Sequence, residues 1–255
     1  MSRLIFTILA CSFLLIGCQH FRNAPSDTAH TAFSGPSTNS DSQIRKLRPG
    51  VWIHISHHKF PSGARYPSNG LIVREGDSLL LVDPAWGAAA TRVLLRRIEQ
   101  EIGLPVRRAI ITHFHDDRTD GLEVLEHAGV EVLATPLTQK LSTMDGGPVS
   151  DGTLSGLNTP GATIQVGTVE VLYPGPAHSP DNLMVWLPEQ RVLFGGCAVR
   201  AIDWKTLGNL EDADLASWPE AIRRAQAHYP NVKIVVPGHG DVGGREILEH
   251  TLRLL

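Results

Sequence analysis

The stretch Ala109-Ile110-Ile111-Thr112-His113-Phe114-His115-Asp116-Asp117-Arg118 passes directly from an uncharged, mostly apolar run into a cluster of imidazoles and carboxylates. Ala109–Thr112 reads as a short buried strand, since none of its four side chains wants a solvated face. Residues two apart on an extended chain project to the same side. If strand geometry continues past Thr112, His113 and His115 therefore present their rings to one place. The loop that follows can swing Asp117 beneath them.

Three further positions share this pattern of a strand-like run ending in a metal-binding side chain. They are His178 in Pro174-Gly175-Pro176-Ala177-His178-Ser179, Cys197 in Phe194-Gly195-Gly196-Cys197 and His239 in Pro237-Gly238-His239-Gly240. Around them the chain reads as mixed α/β. Strands are expected at Val51–Ser56, Leu71–Arg74 and Leu79–Val82, with 57–68 a hairpin loop punctuated by Pro61, Gly63 and Pro67. Ala88–Ile102 has helical spacing, with Val93, Leu94, Ile98 and Ile102 on one side. Helix Leu122–Ala128, strand Val130–Ala134 and a short helix at Leu137–Leu141 follow, and 148–162 reads as loop. Strands recur at Thr168–Tyr173, Leu183–Leu187, Val192–Phe194 and Val232–Val236. Helices are expected at Asp214–His228, with Asp214 as its cap, and at Arg245–Leu255. Antiparallel strands with helices in both halves suggest two sheets packed face to face with helices outside.

The 255 residues, 42% of them hydrophobic, can bury a substantial core in one large domain. A formal net charge of −3 and the lack of basic runs exclude a nucleic-acid surface, and nothing in the sequence points beyond a monomer. The first residues are a targeting segment: Arg3 is a short basic start and Leu4–Ile16 an apolar run too short to span a bilayer comfortably. The run ends in Leu15-Ile16-Gly17-Cys18, which resembles a bacterial lipobox. The resemblance implies removal of residues 1–17, acylation of Cys18, and export to the periplasm. Gln19 in the sorting position implies an outer-membrane lipid anchor. Residues 18–43, rich in Ser, Thr, Asn, Pro and Gly, read as a flexible tether, leaving 44–255 as the catalytic domain. Of Cys11, Cys18 and Cys197, only the last then remains a free thiol, in an oxidising compartment without a disulfide partner. A metal role suits it.

Four imidazoles, a carboxylate and a thiolate are enough for two zinc ions roughly 3.5–4 Å apart, sharing an activated water. A purely structural zinc site usually closes a four-ligand shell rich in Cys, so six mixed donors favour open, catalytic positions.

At this point the residues resemble a family. Roughly 50–255 is similar to the metallo-β-lactamases, class B, first subclass, in the manner of the Verona-integron-encoded branch. The shared-looking strings include Tyr66-Pro67-Ser68-Asn69-Gly70 and Asp212-Ala213-Asp214-Leu215. The resemblance implies a four-layer αββα sandwich with two zinc ions at one edge: His113, His115 and His178 in one pocket, Asp117, Cys197 and His239 in the other. Relatives with other chemistries follow the Asp with a His ligand, where this chain has Arg118. The implied activity is hydrolysis of the β-lactam amide of penicillins, cephalosporins and carbapenems, with zinc-activated water in place of an activated serine. Asp117 orients that water. Asn209 donates to the lactam carbonyl, and Arg200, with Lys205 close by, grips the substrate carboxylate. Phe60 on a mobile hairpin and Trp86 on the floor contact substrate, Asp83 orients a ligand, and His57 and His58 are solvated. Two departures stand out: Arg200 where many relatives carry Lys, and Asp120 where they usually carry Gly. Two other classes stay open: a zinc hydrolase of the same fold acting on another ester, lactone or thioester, and a non-catalytic zinc-binding envelope lipoprotein.

Overall fold

A computed structural model of the chain describes residues 42–255. The expected signal peptide, Cys18 and nearly all of the tether lie outside the described residues. The chain runs β1 (Gln43–Arg48), β2 (Val51–Lys59), β3 (Arg65–Glu75), β4 (Ser78–Val82), α1 (Ala88–Glu101), β5 (Val106–Ile110), α2 (Asp116–Thr119) and α3 (Leu122–His127). It continues through β6 (Glu131–Ala134), α4 (Pro136–Asp145), β7 (Gly152–Thr153), β8 (Thr163–Val166), β9 (Val169–Leu172) and β10 (Met184–Leu187). It ends with β11 (Val192–Gly196), α5 (Trp218–His228), β12 (Ile234–Pro237) and α6 (Glu246–Leu254).

A seven-stranded sheet holds β1 to β7 in sequence order, and a five-stranded sheet has the order β12-β11-β10-β9-β8. Alternation on the strands decides the layering. Val51, Ile53, Leu71, Val73, Leu80 and Val82 meet Val169, Val171, Val185, Leu187 and Phe194 in a core between the sheets. The opposite face of the first sheet, with Ile72, Leu79 and Leu81, is covered by Ala90, Leu94 and Ile98 of α1 and Leu122 and Leu125 of α3. The outer face of the second sheet is covered by Trp218, Ala221 and Ile222 of α5 and Ile247 and Leu248 of α6. The result is the expected αββα sandwich.

Strand direction then places the chemistry. β4 and β5 are parallel, as are β11 and β12. The carboxyl ends of these four strands are followed by Asp83, His113, Cys197 and His239, so each parallel pair delivers its polar residues at one edge.

Several local expectations are corrected. The hairpin loop is only 60–64, because β2 and β3 stay paired out to Lys59 and Arg65. Pro67 is tolerated inside β3 because its carbonyl points to His239; its missing N–H lies on that same side, beyond the last β3–β4 pair, Leu71–Val82. β1 starts at Gln43 and is an exposed edge strand carrying Arg45, Lys46 and Arg48, a composition that conceals it in a sequence and discourages edge pairing. β8 forms because Gly167, at φ 56°, turns the chain back onto β9. Asp214 does not cap α5. Its carboxylate accepts hydrogen bonds from Ala216 N and Ser217 N in the preceding turn, and the helix starts at Trp218.

Candidate active site

Two sets of donor atoms converge at the shared edge. His113 Nε2 lies 3.1 Å from His115 Nδ1, which lies 3.1 Å from His178 Nε2. Beside them, Cys197 Sγ is 3.2 Å from His239 Nε2 and 3.5 Å from Asp117 Oδ2, and the last two atoms are 3.3 Å apart. Asp117 Oδ1 is 3.6 Å from His113 Nε2, which makes this carboxylate the link between the sets.

Local structure explains the convergence. His115 is extended (φ −64°, ψ 156°), so the projection of His113 and His115 to one side survives the strand end. Asp117 then arrives on the helical turn α2, not on an open loop, one turn after His113. His178 sits in the β9–β10 connection, where Ser179 N donates to Asn182 Oδ1. Gly238 permits the closest approach: a Cβ there would stand 2.6 Å from Cys197 Sγ and 2.8 Å from Arg118 Nη2. His239 Nδ1 donates to the Pro67 carbonyl at 2.7 Å, which turns Nε2 toward Cys197 and Asp117.

Arg118 is completely buried behind the second set. Its Nη2 lies 3.0 Å from Asp117 Oδ2 and donates to Cys197 Sγ at 3.0 Å and to the Gly238 carbonyl. Its Nη1 donates to Asn69 O at 2.7 Å and lies 3.6 Å from Asp83 Oδ2. Asp83, in a left-handed conformation (φ 60°), touches no ligand imidazole; its two oxygens accept from Thr112 N and Thr112 Oγ1. It acts one residue upstream of His113, through the backbone. Burial lifts the Asp83 carboxyl to about 6, against the pull of Arg118.

Charge states follow from burial and from this guanidinium. Desolvation holds His113 and His178 well below the ordinary histidine value and lowers His239 too, so all three rings are neutral and their lone pairs available. For Asp117 burial works upward, but Arg118 and then His239 overcome it and keep the carboxyl well below its usual range. Burial pushes the Cys197 thiol up while Arg118 opposes it.

The donors fit zinc. Ligand bonds of about 2.0–2.3 Å in a tetrahedron put nitrogen and sulfur donors roughly 3.3–3.6 Å apart, close to the separations seen in both sets. Three ring nitrogens meet at contacts of 3.1 Å, where a cation between them would take all three lone pairs, and a cation beside the buried thiol would favour its ionised form. His113, His115 and Asp117, and likewise Asp117, Cys197 and His239, have all their donor atoms within 4.8 Å of one another.

Residues 63–239 match the family described as the metallo-beta-lactamase superfamily. This chain belongs to it. The metallo-beta-lactamase type 2 of Bacillus cereus is 38% identical over 214 residues, spanning 83% of this chain and 82% of the relative. A metallo-beta-lactamase of Hirschia baltica, known from its crystal structure, superposes with a TM-score of 0.81 at 36% identity, covering 84% of this chain and 97% of its own. FIM-1 of Pseudomonas aeruginosa, crystallised in its mono-zinc form, superposes at 0.80 with 33% identity, covering 84% and 94%. As a member of this superfamily the chain is a metal-dependent hydrolase.

The rest of this metallo-beta-lactamase site is more aromatic than its sequence suggests. Trp86 is 3% exposed and lies on the floor, its ring 6.2 Å from that of His239. His58 is not simply solvated: it stacks on Trp86 at 4.4 Å, with Phe60 edge-on at 4.7 Å, so the hairpin rests on the floor residue. Tyr66 and Trp204, to which sequence reasoning assigned no role, complete the wall. Trp204 stacks against His239 (5.9 Å, 15°), and Tyr66 meets Trp204 edge-on at 4.8 Å. Arg200 is buried, its guanidinium 4.4 Å over the Trp204 ring, with Nε and Nη2 lacking hydrogen-bond partners. Lys205 is exposed and donates to Ile202 O at 3.4 Å. Asn209 Oδ1 accepts from Glu211 N at 3.1 Å, which leaves its amide N–H groups to face elsewhere. Asp120 lies half-buried on the same side as Asp116 and Asp117; burial first, then those two charges, raise its carboxyl to about 7.

Proposed function

We propose that this enzyme hydrolyses the β-lactam amide of penicillins, cephalosporins and carbapenems with two zinc ions. The observation that carries the proposal is Arg118 clamped between Asp117 and Cys197, which makes an Asp-Cys-His pocket beside a three-histidine pocket. His113, His115 and His178 would hold one ion, and Asp117, Cys197 and His239 the other. The names of the relatives support the substrate class. Zinc, when bound, supplies Lewis acidity toward water and toward the lactam carbonyl.

The chain's own groups do the remaining work. Asp117, a carboxylate reaching both pockets, orients the attacking water. The amide of Asn209 donates to the lactam carbonyl oxygen. Phe60, Trp86, Tyr66 and Trp204 exclude bulk water and give apolar contact to the substrate's side groups. Arg200 has two buried N–H groups to offer the substrate carboxylate, and Lys205 adds charge at the rim. We also propose that the domain works in the periplasm, held to the outer membrane through Cys18. Its support is the lipobox-like string alone.

The test is turnover of a chromogenic cephalosporin by the soluble domain, together with zinc stoichiometry. Activity lost on chelation, regained with zinc and paralleled by two ions per chain is expected. Zinc uptake without turnover of any penicillin, cephalosporin or carbapenem would refute the substrate class; saturation at one ion in the active enzyme would refute the two-ion part.

A further inference from the structure

The last helix of the chain reaches into the wall of the active site. Residues 200–204 form a turn closed by the Trp204 N–H on the Ala201 carbonyl at 3.1 Å, with Ile202 and Asp203 exposed at its tip. Both ends of that turn are bonded to neighbouring residues of α6. Arg200 N donates to Thr251 Oγ1 at 2.9 Å, and His250 Nε2 lies 2.8 Å from the Trp204 carbonyl oxygen, an acceptor that requires the proton on Nε2. Both His250 and Thr251 are buried. Gly240 makes room for the turn: a Cβ there would stand 2.7 Å from Trp204 Nε1 and 2.8 Å from Ala201 Cβ. The Arg200 guanidinium lies over the Trp204 ring, meets the Tyr66 hydroxyl, and is boxed in by Gly208, where a Cβ would come within 3.0 Å of Nη2. Its Nε and Nη2 still have no hydrogen-bond partner. Their direction is set by the turn beneath them, and the turn is set by α6.

We propose that His250 is a positioning residue for substrate recognition: by holding the Trp204 carbonyl it fixes the ring on which the Arg200 guanidinium lies, and so aims Nε and Nη2 at the substrate. A guanidinium that is already aimed loses less freedom when it grips a carboxylate, and the saved entropy appears as tighter binding. The C-terminal helix thereby becomes part of the substrate-binding device, although it carries no group that touches the substrate. The hydrogen bond of His250 goes to backbone, so its influence reaches the site through Trp204 and Arg200 and not through the metal donors. The inference rests on the reading above that Arg200 receives the substrate carboxylate.

The experiment compares wild type, His250→Leu and His250→Gln with zinc in excess, each alone and combined with Arg200→Met. KM and kcat are measured on a chromogenic cephalosporin and on the methyl ester of its carboxylate. His250→Leu is expected to raise KM for the free acid about 2–10-fold, the net worth of one hydrogen bond expressed as binding, with kcat close to wild type. KM for the ester, and KM in the Arg200→Met background, should not move. His250→Gln recovers part of the loss, since its amide N–H also reaches the carbonyl. Should His250→Leu fail to fold, His250→Asn, whose amide stops short of that oxygen, carries the same expectation. Fluorine NMR of fluorotryptophan-labelled protein, with the Trp204 line assigned by Trp204→Phe, reads the ring directly: the line shifts in His250→Leu and returns in His250→Gln. The thiolate-to-cobalt charge-transfer band of the Co(II)-substituted variants, which reports Cys197, should stay as in wild type. A wild-type KM for the acid in His250→Leu, an unshifted Trp204 line, an equal rise of KM for acid and ester, or a cobalt band that changes with KM would overturn the inference. An Arg200→Met variant with the wild-type KM, or a wild type that hydrolyses no cephalosporin, would instead overturn the carboxylate reading, and the Trp204 line then decides alone whether His250 sets the turn.

Discussion

Replacing Arg118 by Met keeps much of the side-chain volume and removes the charge, which isolates what the buried guanidinium contributes. Its nearest charged partner, Asp117 Oδ2, is 3.0 Å away, and Asp83 Oδ2 is 3.6 Å away on the other nitrogen. With an effective dielectric of about 20, an ion pair at 3.0 Å attracts by about 5–6 kcal/mol. Much of this offsets the desolvation of both ions, and deleting one partner of such a pair costs about 3–5 kcal/mol because the other charge stays buried alone. The lost bond to Asn69 O leaves one more buried acceptor without the guanidinium, while Gly238 O keeps the N–H of Asn69. We expect the metal-free variant to unfold about 3–5 kcal/mol more easily than wild type in urea. Zinc should then narrow the gap, since a cation bound by Asp117 and Cys197 supplies the positive charge that Arg118 otherwise provides. Arg118→Lys should fall between the two, because one compact ammonium cannot reach acceptors on Asp117, Cys197, Asn69 and Gly238 together. A metal-free Met variant as stable as wild type would refute this account. So would a deficit that zinc leaves unchanged.

Buried neutral imidazoles make the metal-free domain acid-sensitive. His54, buried with its Nε2 on the Asp83 carbonyl, is lowered by burial from 6.5 to about 4. The unfolded chain therefore binds the extra proton first. The stability this ring contributes is intact above pH 6.5 and about 3 kcal/mol of it is lost as pH falls to about 4, with His113, His178 and His239 acting in the same direction and the raised carboxyls of Asp83 and Asp120 offsetting part of the loss. Urea midpoints of the metal-free domain that stay flat across this range would contradict it. Gly238→Ala drives a Cβ toward Cys197 Sγ and Arg118 Nη2, which should cost about 1–3 kcal/mol of stability and weaken zinc at the Cys197 pocket first. An unaltered cobalt–thiolate band in that variant would show that the backbone moves aside freely.

Much of the fold and of the donor set was legible along the chain, and for a shared reason. Apolar runs such as Ala109–Thr112 and Val192–Phe194 announce buried strands, and a metal-binding side chain immediately after one must emerge at a sheet edge. Segments with a different balance of forces hid themselves. β1, just past the expected tether, shows no strand pattern because an edge strand needs only half its bonds and keeps its charges in water. The arms of the β2–β3 hairpin looked like loop because Pro67 breaks the usual rule, and it does so only because its side of the strand faces His239 instead of another strand. Asp83 was expected to hold a metal ligand and holds the backbone of Thr112 instead, a contact across 29 positions that no spacing reveals.

Residue type alone settled which atoms can bind a metal: imidazole, carboxylate and thiolate carry their donor chemistry wherever they stand, and strand ends determined that they would surface together. Packing settled everything that depends on which way a side chain turns. Only the sandwiching of two sheets lays Arg118 behind Cys197 across 79 positions, slides Arg200 against Trp204 and brings Asp212 onto His115 across 97. Such pairs carry no period and no fixed separation, because the relative placement of the sheets, not the local chain, sets the distance between them.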